Sequence, residues 1–176
     1  MASQELIFAG FGGQGILSMG KFLAYAGMDA DLNVSWLPSY GPEMRGGTAN
    51  CSVILTNESI GSPIVTKADT LIVMNRPSLD KFEEAVNSGG LIVMDSDLVD
   101  RMPVRNDLEI IAIPAQTIAE KMGSKKIANM ILLGALVKKT GIVSTDQLLD
   151  ALKAHGKESF FDINKEAIEK GMEFVS

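Results

Sequence analysis

Cysteine, histidine and tryptophan occur once each in the 176 residues, the first two as Cys51 and His155. A lone thiol excludes an internal disulfide and cannot supply the four thiolates of an iron–sulfur cluster. A zinc site within the chain would need an unusual carboxylate-rich ligand set. Aromatics make up 6%, so the core must rest on aliphatic residues and the ten methionines. No apolar run reaches the roughly 18 residues of a membrane span. The N-terminus lacks the basic region and apolar stretch of a secretion signal, and a cytoplasmic protein is expected. Basic charge is short too: 16 Lys and Arg against 22 Asp and Glu leave a net charge of −6. That balance argues against nucleic acid as a partner.

What is present fits a folded globular chain, with 46% hydrophobic and 22% charged residues. One domain over 1–176 is expected, since no repeat, low-complexity tract or linker interrupts the chain. Apolar runs of strand length alternate with segments of helical period. Strands are expected at 6–9, 33–38, 49–55, 70–74, 91–94 and 108–113. The runs 70–74 and 91–94 are almost continuously apolar, as in strands covered on both faces. Helices are expected at 13–28, 78–86, 115–122, 126–139, 144–154 and 164–174. Ser78 and Ser144 read as N-caps, Gly89-Gly90 as the end of the 78–86 unit, and Gly141 as a helix stop. The pattern predicts an α/β fold, a Rossmann-like open, mostly parallel sheet with helices on both faces.

Gly10-Phe11-Gly12-Gly13-Gln14-Gly15 directly follows the first apolar run. It places a glycine-rich turn between a strand and a helix, where backbone N–H groups favour an anion such as a pyrophosphate. The same glycines also suit close strand–helix packing with nothing bound. A dinucleotide site would add an acid at the end of the second strand. Here that strand runs into Leu37-Pro38-Ser39-Tyr40, and Asp29 and Asp31 precede it. A free-standing NAD(P)-binding oxidoreductase is therefore the alternative reading, without its acid. A second run, Tyr40-Gly41-Pro42-Glu43-Met44-Arg45-Gly46-Gly47-Thr48, carries an arginine on a glycine-flanked loop. Arg45 can grip a phosphate in a fork, or pair with Glu43 at the surface.

Taken together, the runs 10–15 and 40–50 resemble the gamma subunit of 2-oxoacid:ferredoxin oxidoreductases, most closely the 2-oxoglutarate type. The resemblance extends through Asn75-Arg76-Pro77 and the segment 128–135, and fades after Gly141. It implies a subunit of an enzyme that converts a 2-oxoacid and CoA to acyl-CoA and CO₂ while reducing ferredoxin. It further implies that thiamine pyrophosphate, Mg and iron–sulfur clusters sit on partner chains: the thiamine-binding and substrate-binding subunits and a ferredoxin-like subunit. This chain would pack on those subunits and help bind CoA, with no catalytic residue or metal of its own. On the same resemblance Gly12, Gly13, Gln14 and Gly15 form an anion-facing turn near CoA. Arg45 meets a CoA phosphate, with Thr48 and Asn50 as neutral donors. Glu43 departs from the more basic loop of pyruvate-type relatives.

Asn75 and Arg76 follow a buried strand and are expected to face the same crevice or to cap the next helix. Asn129 lies within an apolar helix and needs hydrogen-bond partners, either a loop backbone near the ligand or its own helix. Cys51 reads as a small core residue. His155 reads as a helix-end residue facing the carbonyl dipole.

Overall fold

A computed structural model describes residues 3–39 and 48–176. Six strands form one sheet: β1 (Ser3–Phe11), β2 (Asn33–Pro38), β3 (Thr48–Thr56), β4 (Ala68–Val73), β5 (Val86–Asp95) and β6 (Glu109–Ile113). Their order is β2-β3-β1-β4-β5-β6. β1, β4, β5 and β6 pair in parallel, whereas β3 is antiparallel to both β1 and β2. Only β3 therefore runs against the rest. The short connection from β2 explains the reversal, since a parallel crossover needs a dozen or more residues.

The six described α-helices are α1 (Ile16–Asp29), α2 (Arg76–Phe82), α3 (Ala115–Lys121), α4 (Ala128–Thr140), α5 (Thr145–His155) and α6 (Phe161–Met172). Leu6 and Phe8 of β1 point to one face of the sheet, where α1 and α3–α6 bury the larger core. Ile7 and Ala9 point to the other, covered by α2 and connecting segments. The period-two alternation of a strand makes that division. Helices thus lie on both faces, but unequally. α4 is buried along nearly its whole length, because it packs on β5 and against α1, α3, α5 and α6. Its backbone touches that of α6: a Cβ at Gly134 would strike the Ile168 carbonyl, and one at Gly171 the Ile131 carbonyl.

Two local expectations are corrected. Asn75, not Ser78, caps α2: its Oδ1 accepts from Ser78 N at 2.8 Å. Pro77 sits inside the first turn, where its missing N–H costs nothing. Gly89-Gly90 does not end the preceding unit but lies within β5. The β4–β5 register shifts between Ala68 and Thr70, and the backbone comes so close that a Cβ on Gly90 would lie 2.9 Å from the Asp69 carbonyl. Ser144 does cap α5, in a reciprocal box with Gln147, and Gly141 ends α4.

Candidate functional site

The chain turns through Gly12, Gly13, Gln14 and Gly15 between β1 and α1, at the carboxyl edge of the parallel strands. A Cβ on Gly10 would lie 2.6 Å from Gln14 Oε1 and 2.7 Å from Ile16 Cδ1, so glycine there leaves room for those two side-chain ends. Gly13 (φ +90°) and Gly15 (φ +76°) occupy the left-handed region, where a Cβ is strained. Gly12 has neither reason. Its φ lies outside that region, and no atom of the described residues comes within 4 Å of the position a Cβ would take. Its bare backbone borders a cleft of about 330 Å³ lined by Phe11, Gly13, Gly15, Ala49 and the first turn of α1.

That first turn is open. Gly15 at the N-cap has no side chain to offer, and no acidic residue lies in the turn. The N–H groups of Ile16, Leu17 and Ser18 have no intrahelical acceptor and border the cleft. The positive end of the helix dipole adds to them, and together they favour an anion.

Gln14 has a different task from its neighbours. Its Oε1 accepts from Phe11 N at 2.6 Å, and its Nε2 donates to the Met74 carbonyl at 3.1 Å. It fastens the turn to β1 and to the end of β4, and does not line the cleft.

The β1–β3 register sets Phe11 opposite Thr48, Gly10 opposite Ala49 and Ala9 opposite Asn50. Beside it, Ser39 N donates to the Asn50 carbonyl at 2.9 Å; the segment 40–47 lies between Ser39 and β3 in the sequence. Arg45 and Glu43 lie in this segment, outside the described residues. Strand alternation places Thr48 and Asn50 on the face of Ile54, which belongs to the smaller core. Ala49, between them, lines the cleft.

Asn75 is fully buried and serves α2 as its cap. Arg76 is half-exposed and pairs with Asp80 at 3.7 Å and Asp100 at 3.3 Å. Neither lines the cleft over the glycine turn. Asn129 does reach the turn: its Nδ2 donates to the Gly15 carbonyl at 3.2 Å, and its Oδ1 accepts from Met130 N at 2.9 Å. One side chain thus joins the backbone of the glycine turn to that of its own helix.

A second cleft, of about 220 Å³, opens beside the first, and Gly15 and Ser18 line both. Phe22, Lys126, Met130 and Phe160 contribute to its walls. Sequence reasoning missed it because α1, α4, α6 and two 3₁₀ turns, Lys125–Ile127 and Glu158–Phe160, converge there. Asp95 was also missed, although an acid directly after the apolar run 91–94 was a signal. It is fully buried, and Oδ1 accepts from Asp97 N at 3.0 Å while Oδ2 accepts from Gln116 Nε2 at 3.3 Å. Burial pushes its carboxyl above the ordinary range. Asp97 Oδ2 in turn accepts from Thr117 N at 2.7 Å, supplying α3 with the cap that Pro114 cannot. Both acids anchor α3.

Cys51 is a core residue as expected. Burial pushes its thiol up to about 12, against the weaker pull of the Trp36 indole and the Gly20 backbone. His155 ends α5 and stacks on Tyr25, with ring centroids 3.6 Å apart. Among the described residues no group of three His, Cys, Asp or Glu side chains is placed to hold a metal ion. None of their helices is long and apolar enough to cross a membrane.

The model of the family described as pyruvate ferredoxin/flavodoxin oxidoreductase matches residues 5–174. The chain belongs to this family. Within the family its counterpart is the gamma subunit of the 2-oxoacid:ferredoxin oxidoreductases. The gamma subunit of a keto/oxoacid ferredoxin oxidoreductase from Geobacter sulfurreducens PCA superposes with a TM-score of 0.86 at 30% identity, covering 97% of each chain. The 2-oxoglutarate synthase subunit KorC of Methanocaldococcus jannaschii is 35% identical over 97% of this chain and 92% of its own length. The ketoisovalerate oxidoreductase subunit VorA of Methanothermobacter marburgensis is 40% identical over 95% of this chain. This chain spans 35% of VorA's length. A 2-oxoglutarate:ferredoxin oxidoreductase from Magnetococcus marinus, solved with 2-oxoglutarate, coenzyme A and succinyl-CoA bound, has a TM-score of 0.88 at 26% identity. The match covers 99% of this chain and 31% of that one. Membership in an oxidoreductase family of this kind leaves the free-standing NAD(P) reading unsupported. The fold agrees: β3 separates β2 from β1, and Asp29 closes α1 at the end away from the glycine turn.

Proposed function

We propose that this gamma-type chain binds coenzyme A at the glycine turn and works within a complex that oxidatively decarboxylates a 2-oxoacid to acyl-CoA and CO₂, with ferredoxin as electron acceptor. Gly12 carries the proposal. Among the described residues it is the one glycine of the turn without a steric or conformational reason, and it stands beside the open N-terminus of α1. A diphosphate fits a bare backbone, unpaired N–H groups and a positive helix end. Arg45 remains a candidate to add a contact from the β2–β3 connection, whereas Thr48 and Asn50 lie in β3 on the face opposite Ala49 and do not line the cleft. Iron–sulfur clusters do not fit here, since the sole thiol is buried, and for the Mg of thiamine pyrophosphate no group of three His, Cys, Asp or Glu is placed to hold a metal among the described residues. They belong, on this reading, to the thiamine-binding, substrate-binding and ferredoxin-like subunits.

2-Oxoglutarate is the oxoacid we assign. KorC, named for 2-oxoglutarate, matches this chain along nearly its full length, whereas VorA, named for ketoisovalerate, is a much longer protein. The test is a Gly12→Ala variant in the assembled enzyme, assayed with 2-oxoglutarate and with branched 2-oxoacids. We expect the KM for CoA to rise about tenfold, as a new methyl group pushes the diphosphate off its donors. The KM for the oxoacid and the melting temperature stay the same. An unchanged KM for CoA refutes the site, and a preference for branched oxoacids refutes the substrate.

A further inference from the structure

One stretch of surface borders neither cleft. We propose that the connection 96–108, between β5 and β6, is the face on which the thiamine-binding subunit of the same complex docks, with Leu98, Met102 and Val104 covered at the contact. This rests on the reading of the chain as one subunit of a larger enzyme.

The apolar side chains are concentrated there and held. Leu98, Met102 and Val104 are three of the nine large hydrophobic side chains exposed among the described residues, and Val104, at 79%, is the most exposed of them. No helix or strand forms over 96–108. A stretch that long without secondary structure is uncommon in a compact domain, and is usually functional or disordered. This one is fixed. Glu83, itself 3% exposed, accepts from the amides of Val104 and Arg105 and from the Arg101 guanidinium. Arg101 also donates to Asp80, and Arg105 to the Val86 carbonyl. Drawing these charges out of water costs desolvation, and the framework holds the backbone still while three apolar side chains stay in water. A surface ordered in advance loses little entropy on binding, and methionine and arginine are enriched at such contacts.

Two observations point to the occupant. The match covers 35% of VorA and 31% of the Magnetococcus marinus chain, but 92% of KorC. The same domain thus occurs both alone and joined within a longer chain. Standing alone, it needs a face that replaces the covalent joint. Position then narrows the choice. The connection leaves β5 at Asp95, on the carboxyl edge that carries the glycine turn, and Arg105 ties it to Val86 at the other end of β5. A protein seated along it reaches the edge where CoA is proposed to lie. Acyl transfer to CoA requires the thiamine-bearing chain at that edge, and a second copy of this chain would bring no acyl group.

The assembled enzyme is diluted and its dissociation followed by mass photometry. Met102→Ser and Val104→Ser should each raise the dissociation constant about tenfold, as apolar area is lost from the contact. Met28→Ser, at a side chain of similar exposure (60%) near the end of α1, should leave it unchanged. Each free variant chain should melt at the wild-type temperature, since these side chains lie outside both cores. A photoreactive maleimide on Val104→Cys should then attach to the thiamine-binding subunit, because Cys51 is buried and escapes the label. Attachment to a second copy of this chain, or to another subunit, overturns the proposal. So does a dissociation constant that neither serine variant changes. If the wild-type chain joins no complex, the subunit reading itself fails; if it does and the serine variants hold as tightly, only the docking face fails.

Discussion

Asn129 Nδ2 donates to the Gly15 carbonyl at 3.2 Å across 114 residues of sequence. The same carbonyl accepts from Met19 N at 3.0 Å. One oxygen thus closes the first turn of α1 and fixes the start of α4 against it. A Cβ on Gly15 would run into the Asn129 amide, so the two residues specify one another.

Gly15→Ala should therefore destabilise the chain by about 2–3 kcal/mol, from left-handed strain and the collision together. Asn129→Ala should cost about 1–3 kcal/mol by leaving buried partners unsatisfied. Their combination should cost less than the sum, because the alanine at 129 removes the collision. Urea melts of the two single variants and the double variant check this.

Gln14→Ala should cost about 1–2 kcal/mol, the worth of two hydrogen bonds partly replaced by water. It should also free the Phe11 amide. Hydrogen exchange at Phe11 should quicken, while exchange in the interior of α4 stays slow.

The Cys51 thiol gives a signed dependence on pH. Its folded value is raised to about 12 from 9.0, so above pH 9 the unfolded chain releases a proton that the folded chain keeps. The associated stability is intact below pH 9 and is lost as pH rises towards 12, with a slope approaching about 1.4 kcal/mol per pH unit. Urea melts between pH 8 and pH 11 (roughly the accessible alkaline range) should show this slope, and Cys51→Ala should lack it. At pH 8 a thiol reagent should label Cys51 only on unfolding.

Buried Glu83 should prove essential to the segment after β5. Its Oε1 accepts from Arg101 Nη1 at 2.9 Å, and its Oε2 from the amides of Val104 at 2.8 Å and Arg105 at 3.0 Å. Glu83→Gln should cost about 1.5–3 kcal/mol, the range for hydrogen bonds to a charged group. The amides of Val104 and Arg105 should then exchange faster.

Much of the fold was legible because buried strands leave contiguous apolar runs: all six expected strands are present, β2 with both ends as read. Less legible was whatever depends on pairing. Nothing in 49–55 reveals that β3 lies between β1 and β2, since alternation reports which faces are buried and not which strand is adjacent. Gly89-Gly90 read as a stop because glycine usually punctuates; here it allows the close approach of β4 and β5. At the site, the position of the glycine turn was plain from its order after a strand. The separate duties within it were not. Gln14 faces inward and Gly12 outward, and only the neighbours contributed by β4 and α4 separate them. The second cleft left no local signature, because it is assembled from residues more than a hundred positions apart.

The reversed strand also limits what redesign can achieve. Strands in a sheet stand about 4.8 Å apart, so with β3 in between the end of β2 lies roughly 10 Å from β1. An aspartate grafted at Leu37 or Pro38 would be too remote to hold a ribose beside the glycine turn. Turning this domain into a nicotinamide-dinucleotide binder would require a new strand order, beyond the reach of point mutation, and directed evolution from this scaffold should fail to find one.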